Sequence, residues 1–400
     1  MHCSEECRQH GDDWRANNLV KSREHEIFCD TKNQTARIPK ANMIKVEIDP
    51  IWRFQHDGDA QSMKIMLEFL TEIRATGKIT AAADRAGVSY RHAWNLIEKW
   101  SDFFKMPLVV RKQGAGTQLT DFGEKLVWAG QRLEARLRPL LQNLSQELET
   151  EINELLPNSP LILRVHASHG FAVPKLRELL GREPKIGIDF RYVSNQNSLA
   201  SLAHGGCDLA GMHLPQGKLR QRAITANKEW LNPNTHRVIS LVTREMGLMV
   251  QRGNPLQISN LESLRNPSVR FVNREPHSGT RLLFDQLLAQ HRMDASSIRG
   301  YEQSEFTHAA VAAYVASGLA DVAFGVESAA RQFNLDFVPI LTEDYVFVCR
   351  KQILKLPAMQ RVLEIMRGKE FHAAIAALPG YRVKDAGAIK TISQVFRNSV

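Results

Sequence analysis

The chain has 400 residues, enough for two or three domains, with an ordinary globular composition of 43% hydrophobic and 24% charged residues. Its formal charge of +9 fits a nucleic-acid partner, and five cysteines in a chain this long are not a disulfide framework. No apolar run approaches the length of a membrane span and no apolar signal region opens the chain, so the expectation is a cytoplasmic protein with no membrane partner.

Residues 1–42 are polar, charged and aperiodic and read as a disordered extension. Cys3 and Cys7 lie in it as unpaired thiols, since no second ligand pair follows at zinc-finger spacing. An ordered domain is expected over 43–120. In it Thr80 reads as the cap of a short Ala-rich helix over 81–86, and Gly87 as the left-handed position of a tight inter-helix turn. Ser89 reads as the cap of the next helix, where Ala93, Ile97 and Trp100 recur at i, i+4 and i+7 and form one apolar face. Ser89, Tyr90, Arg91, His92, Asn95 and Lys99 are then the candidate DNA contacts of a recognition helix. Residues 108–119 read as strand, Gly turn and strand, a wing whose Arg111 and Lys112 suit phosphate contact. Two amphipathic helices and a Gly turn also occur in proteins that never touch DNA; the wing and the helical segment after it turn the reading towards double-stranded DNA.

Asp121 is expected to cap a long helix over 121–157. Leu133, Leu137, Leu140, Leu144, Leu148, Ile152 and Leu155 recur along it at steps of three and four, and Pro139 is expected to kink it or split it in two. The stripe suits packing within one chain or against a second copy. A homodimer or higher homo-oligomer is preferred, because two-fold DNA-binding proteins read repeated half-sites. Pro157-Asn-Ser-Pro160 marks a domain break.

Over 161–385 the pattern changes to α/β. Strands are expected over 161–167, 186–193, 208–212, 269–273, 322–325, 337–341 and 345–349, with two more segments inside 238–250. Helices are expected over 171–180, 198–204, 278–291 and 307–317, with two more after the last strand. The alternation implies mostly parallel sheets. Residues 243–252 bridge two lobes with a cleft between them, and the chain returns to the first lobe after about residue 346. Residues 386–400 read as a C-terminal tail.

In open α/β lobes ligands bind beyond the carboxyl ends of the strands. Three segments fall there, contributing Ser168 and His169, then Asn195 and Ser198, then Asn273, Ser278, Gly279, Thr280 and Arg281. Each ends at a helix start, where free backbone N–H groups and the helix dipole favour an anion. Ser168, Ser278 and Thr280 add hydroxyl donors, while Arg274 and Arg281 supply charge. The duller roles are equally specific: Ser278 and Thr280 as helix caps, Arg281 paired with Asp285 one turn on, and His169 as a structural histidine. His213 and Glu343 rank after these.

An enzyme is the competing class. Adjacent loop residues such as Ser168 and His169 rarely face each other, and no G-x-S-x-G elbow, P-loop or HExxH is present. No catalytic residue, metal site or obligatory cofactor is therefore expected.

The first ordered third resembles the winged helix-turn-helix of the ModE family of molybdate-responsive regulators, and more distantly that of LysR-type regulators. The resemblance lies in Thr80-Ala-Ala-Ala-Asp-Arg-Ala-Gly-Val-Ser-Tyr-Arg-His-Ala-Trp94, Leu108-Val-Val-Arg111, Gly114-Ala-Gly116, Leu119-Thr120 and Gly123. Residues 161–385 resemble the type II periplasmic-binding-protein fold, above all its intracellular branch fused to regulators and to some molybdopterin-biosynthesis proteins. Here the matching segments are Gly205-Gly-Cys-Asp-Leu-Ala-Gly-Met-His213, Phe271 through Asp285, and Ala309 through Gly318 followed by Ala320-Asp-Val-Ala-Phe-Gly325; the Asn273-Arg-x-x-x-Ser-Gly-Thr-Arg281 stretch is the most specific. Typical ModE proteins carry small molybdate-binding barrels at this place instead.

The two resemblances imply a winged helix-turn-helix, a long linker helix and a two-lobed binding domain. They imply a dimeric transcriptional regulator whose effector is a small anion, molybdate or tungstate, or a pterin-type compound related to the molybdenum cofactor. A small organic effector stays open, as does an enzyme or binding protein of molybdopterin metabolism. A secreted solute receptor is disfavoured by the missing signal peptide and the attached winged domain.

Overall fold

A computed structural model describes residues 44–56, 59–112, 116–156, 162–183 and 186–397. The expected N-terminal extension with Cys3 and Cys7, the tip of the wing with Gly114, and the break at 157–160 lie outside the described residues.

An antiparallel hairpin, β1 (Arg53–His56) and β2 (Asp59–Ser62), precedes three helices, α1 (Lys64–Thr76), α2 (Ile79–Ala86) and α3 (Tyr90–Phe104). The antiparallel pair β3 (Val109–Lys112) and β4 (Gly116–Leu119) forms the wing. Thr80 is not a cap: α2 starts at Ile79, and its cap residue Lys78 makes no side-chain capping bond. Gly87 ends α2 at φ 66°, a left-handed conformation that costs glycine no Cβ clash. Ser89 caps α3, its hydroxyl accepting from the His92 amide at 3.2 Å. Ala93, Ile97 and Trp100 are buried in one core with Met66, Phe69, Leu70 and Ile73 of α1. Each large apolar side chain so buried stabilises the domain by about 1.5–3 kcal/mol.

One helix of 34 residues follows, α4 (Asp121–Glu154). Thr120, not Asp121, is its cap, accepting from the Gly123 amide at 3.1 Å, and Pro139 does not split it. Gly123 is required by a close approach, because a Cβ there would lie 2.4 Å from the Leu108 carbonyl oxygen. The helix is dressed the reverse of a core helix. Ser145, Gln146, Glu149 and Asn153 are buried, while Leu140, Leu144, Leu148, Ile152 and Leu155 are exposed. The buried polar groups have partners: Asn153 exchanges 2.8 Å hydrogen bonds with the Ile44 backbone, and Glu149 accepts from the Val46 amide at 3.1 Å.

The remaining elements are β5 (Ile162–Ala167), α5 (Ala172–Leu180), β6 (Gly187–Tyr192), α6 (Asn195–His204), β7 (Leu209–Pro215), α7 (Arg220–Ala226), β8 (His236–Val250), β9 (Phe271–Arg274), α8 (Gly279–Gln290), β10 (Ser304–Glu305), α9 (His308–Ala316), β11 (Val322–Val326), α10 (Glu327–Gln332), β12 (Asp336–Arg350), α11 (Pro357–Arg367), α12 (Lys369–Ala376), β13 (Tyr381–Arg382), β14 (Ile389–Thr391) and α13 (Ile392–Arg397). The strands form one sheet in the order β10-β9-β11-β8-β12-β7-β5-β6, with β13 and β14 added along β8.

Both flanks of the sheet are parallel, but the three central junctions, β11·β8, β8·β12 and β12·β7, are antiparallel. The expectation of mostly parallel sheets therefore fails at the centre. The reason lies in β8 and β12, each a single 15-residue strand where the sequence reads as two segments. The charges that interrupt the apolar pattern, Arg244 and Glu343, are cross-strand partners and do not end the strands. β11 pairs with Met246–Val250 of β8, and β7 pairs with Glu343–Cys349 of β12. The two long strands thus carry the chain from one lobe to the other.

Residues 386–397 are no tail. β14 lies on β8, and Ile392 and Val395 of α13 enter a core with Leu199, Leu202 and Val238. Among the described residues no helix is long and apolar enough to cross a membrane.

Candidate functional site

Two regions present polar groups in organised arrays. The first is the face of α3 and the wing, where Ser89, Tyr90, Arg91, His92, Asn95, Lys99, Arg111 and Lys112 are all exposed. Arg111 does not stand free on the wing. Its guanidinium lies 4.4 Å from the centre of the Trp94 ring and donates to the Tyr90 hydroxyl at 3.4 Å. Such a cation–π contact is worth about 0.5–1 kcal/mol at an exposed site, and it ties the wing to α3. Trp94 and Tyr90 themselves meet edge to face.

The second region is the junction of the two lobes, where β8 and β12 cross. Arg244 and Glu343 form a buried pair there, Arg244 donating to Glu343 Oε2 from Nε at 2.9 Å and from Nη2 at 2.7 Å. His213, at the end of β7, brings Nδ1 within 3.0 Å of Arg244 Nη2. Its ring lies 4.5 Å from that of Tyr345, whose hydroxyl accepts from the Ser168 amide at 3.0 Å. Ser168 Oγ is buried and unpaired. His169 packs on Tyr192, ring centres 4.9 Å apart.

The other lobe brings Gly279, Thr280, Arg274 and His308. A Cβ on Gly279 would come 3.0 Å from the His213 ring and 3.7 Å from Asn195 Cβ, so the start of α8 meets the first lobe here. Thr280 Oγ1 lies 3.3 Å from His308 Nε2, and His308 Nδ1 is buried and unpaired. Arg274 is buried, donates from Nη2 to the Phe306 carbonyl at 2.6 Å, and leaves Nε unpaired.

The electrostatics follow from this crowding. Burial alone would raise the Glu343 carboxyl, but Arg244 and His213 outweigh it and hold it well below the usual carboxylate range. Burial lowers Arg274 to about 10, with Arg244 adding to the effect. Burial also lowers His169, to about 4, and lowers His213 and His308, with Arg274 contributing in all three. The three histidines are therefore neutral at physiological pH, and the buried charges at the crossing are Arg244, Glu343 and Arg274. Arg244 is matched by Glu343, while Arg274 feels the half-buried carboxylate of the adjacent Glu275 but makes no ion pair with it among the described residues.

The sequence-expected ligand residues divide. Ser168, His169, Asn195, Gly279 and Thr280 come together around His213 and His308. Ser278 uses its hydroxyl as a helix cap, accepting from the Arg281 amide at 3.1 Å and donating to the Glu275 carbonyl at 2.9 Å. Ser198 donates to the Asn195 and Gly211 carbonyls, and Asn273 bonds the Arg274 amide and the Tyr301 carbonyl. Arg281 stacks 3.9 Å over Tyr301 and pairs with Asp285 at 3.2 Å. These four side chains are held by the fold, and so is Asn195, whose Oδ1 accepts from the His213 amide at 3.1 Å and whose Nδ2 donates to Asn227 Oδ1 at 3.3 Å.

Arg244, Tyr345 and His308 were not picked out from the sequence. The signal for Arg244 is an arginine inside the apolar run 238–250 that does not end the strand. A separate open crevice of about 1240 Å³ runs beside residues 45–49, α1, α4 and α5, lined by charges of both signs such as Lys45, Glu68, Arg85, Glu134 and Arg177.

Residues 66–124 match the model of the bacterial regulatory helix-turn-helix protein, lysR family, and residues 176–367 match that of the PBP superfamily domain. The chain is 32% identical over 199 residues to the uncharacterized protein YvgK of Bacillus subtilis (strain 168), covering 50% of this chain and 64% of that protein. It is 34% identical over 111 residues to an uncharacterized protein encoded in the 5′ region of a ferredoxin 2Fe-2S gene of Clostridium pasteurianum, covering 28% of this chain and 98% of that one. With the molybdenum transport protein ModE of Azotobacter vinelandii it shares 37% identity over 86 residues, 20% of this chain and 32% of that protein. The chain thus spans less than two thirds of YvgK and about a third of that ModE protein.

Proposed function

We propose that this chain, which joins a regulatory helix-turn-helix of the lysR family to a PBP superfamily domain and so is a DNA-binding transcriptional regulator with an effector domain, senses a small oxyanion between its lobes and acts in the cytoplasm as a homodimer. The observation that carries the reading is Arg274. It is a buried cation with no carboxylate in ion-pair contact among the described residues, and its Nε has no acceptor. A charge in that position costs several kcal/mol unless it is compensated, and an anion held between the lobes compensates it. Ser168 Oγ and His308 Nδ1 are further unpaired polar atoms in the same region.

Likeness to a molybdenum transport protein ModE supports molybdate or tungstate, or a pterin-type compound related to the molybdenum cofactor, as the first candidate. A small organic anion is the second reading that the same charge accepts. An enzyme is not supported, because the matched helix-turn-helix family is one of regulators. The dimer is supported by α4, whose exposed leucines face away from its own chain.

The test is a thermal-shift series on the full chain with molybdate, tungstate, sulfate, phosphate and a pterin. A ligand at a hundred times its Kd adds about 2.7 kcal/mol of apparent stability. At least one anion should raise the midpoint of the wild type and not that of Arg274→Met. Stabilisation by a neutral compound alone would sink the anion reading.

A further inference from the structure

We infer that α4 is a strap across the effector cleft, hinged at Pro139, through which the separation of the lobes sets the attitude of the winged domain; the inference rests on the reading that an effector sits between the lobes. The helix holds each lobe by a separate grip. On the second lobe, Arg136 donates from Nε to Glu305 Oε2 at 2.7 Å and from Nη2 to Oε1, and that carboxylate is 3% exposed. On the first lobe, the Asn143 side-chain amide donates to the Tyr192 carbonyl at 2.9 Å, and Asn143 Oδ1 accepts from the Tyr192 amide at 2.8 Å. Asn143 thereby imitates a strand residue on the open edge of β6. Arg136 and Asn143 are two helical turns apart on one face, about 10 Å along the axis.

Pro139 lies between the grips. Proline has no N–H, so it leaves the carbonyl four residues earlier without its helical donor. That carbonyl belongs to Ala135, and Thr307 of the second lobe donates its hydroxyl to it at 3.1 Å. The weak point of the helix is therefore itself a grip on the second lobe. A helix lacking one internal bond bends there at lower cost than elsewhere.

Both grips adjoin the cleft. Thr307 caps α9, whose first residue is His308, and the neighbouring Phe306 carbonyl accepts from Arg274. Tyr192 meets His169 edge to face. When the lobes close or open, Glu305 and Thr307 move relative to Tyr192, and the only part of α4 between them is the turn around Pro139. The winged domain is continuous with the N-terminal half of the same helix and follows the bend. Arg136, Asn143 and Thr307 are positioning residues in this scheme and do not touch the effector.

The test measures distance in the full chain by electron–electron spin resonance. Labels go on the exposed residues Gln221 of the first lobe and Glu302 of the second, with Cys3, Cys7 and Cys29 replaced by serine. Without any ligand, Asn143→Ala and Thr307→Val should each broaden and lengthen the interlobe distribution. Thr307→Ser, which keeps the hydroxyl, should restore the wild-type trace. Pro139→Ala, which returns a donor to the Ala135 carbonyl and leaves the α9 cap intact, should shift the distribution as well. Wild-type distributions in all of these variants, with helical content intact, would overturn the strap. A second pair of labels, on Glu98 of α3 and Gln221, reads the winged domain when molybdate, tungstate or sulfate is added. Calorimetric binding of one of them with no change in that distance overturns the strap. Failure of all three to bind, with the ligand-free distances behaving as expected, counts against the anion reading alone.

Discussion

Arg244 and Glu343 face each other in register across β8 and β12, at the point where those two strands pass from one lobe to the other. Both are buried, and Arg244 gives two of its donors to one carboxylate oxygen. The pair explains how two charges occupy the middle of two apolar strands without ending them. A buried pair of this kind adds little net stability, yet breaking it from one side is costly because the other charge is stranded.

Glu343→Ala leaves Arg244 unpaired close to Arg274. The expected cost is on the order of 3–5 kcal/mol, read as a lower midpoint in urea unfolding. Replacing both partners, Arg244→Met with Glu343→Leu, should recover much of that loss. A single variant with the wild-type midpoint would show that the crossing tolerates a lone arginine.

The histidines of the cleft, His169 half-buried and His213 and His308 buried, make stability depend on pH in a stated direction. His169 is held down to about 4 from an ordinary 6.5, and His213 and His308 are lowered as well. Between about 4 and 6.5 the unfolded chain binds a proton at His169 that the folded chain does not, so acid favours unfolding there. The stability His169 contributes is complete above about 6.5 and is lost as pH falls towards 4, on the order of 3 kcal/mol in all. Urea midpoints taken across that range should fall more steeply for the wild type than for His169→Gln. Parallel curves would place His169 in solvent contact.

Much of this architecture was legible because local patterns and tertiary packing agree. The apolar face Ala93, Ile97 and Trp100, the Ser89 cap and the left-handed Gly87 each follow from sequence period or steric freedom. Two caps lie one or two positions from where the sequence puts them, at Lys78 where it points to Thr80 and at Thr120 where it points to Asp121, because several polar residues near a helix start compete and backbone geometry decides. The crossing strands were cut in two because a charge inside an apolar run reads as a break unless its partner, a hundred residues away, is known. The last strand and helix were missed for a related reason: β14 is three residues long and is defined by its place on β8. In the cleft, segments at strand ends were found by rule, yet Ser198, Asn273, Ser278 and Arg281 turn out to be held by neighbours. Only contacts show which hydroxyls and guanidinium groups remain free.

The exposed stripe of α4 predicts its own partner. Leu144 and Leu148 are 51% and 42% exposed within one chain, so lysines there cost the folded monomer little. At an interface between two copies they would bury unpaired charge. Leu144→Lys with Leu148→Lys should keep the wild-type circular dichroism, sediment as a monomer and lose affinity for a two-site operator. A wild-type chain that sediments as a monomer at the concentrations used for DNA binding would end the dimer proposal.

Contacts to bases and contacts to phosphate separate in the winged domain by their response to sequence and salt. Arg91 is exposed on the first turn of α3, where a recognition helix meets base edges. Lys112 is exposed at the end of β3, beyond the Arg111 that is stacked on Trp94. Arg91→Ala should cost about 1–3 kcal/mol on the preferred site and little on other duplexes, narrowing the ratio between them. Lys112→Ala should weaken both alike and lower the slope of log K against log salt by about 1. Arg111→Lys keeps the charge but gives up the flat stacking surface, so it should loosen the wing and weaken binding without changing the salt slope. Fluorescence-anisotropy titrations at several salt concentrations, on one selected and one scrambled duplex, distinguish the three. If Arg91→Ala behaved like Lys112→Ala, α3 would be lying along the backbone, and the reading of bases would have to be sought elsewhere in the domain.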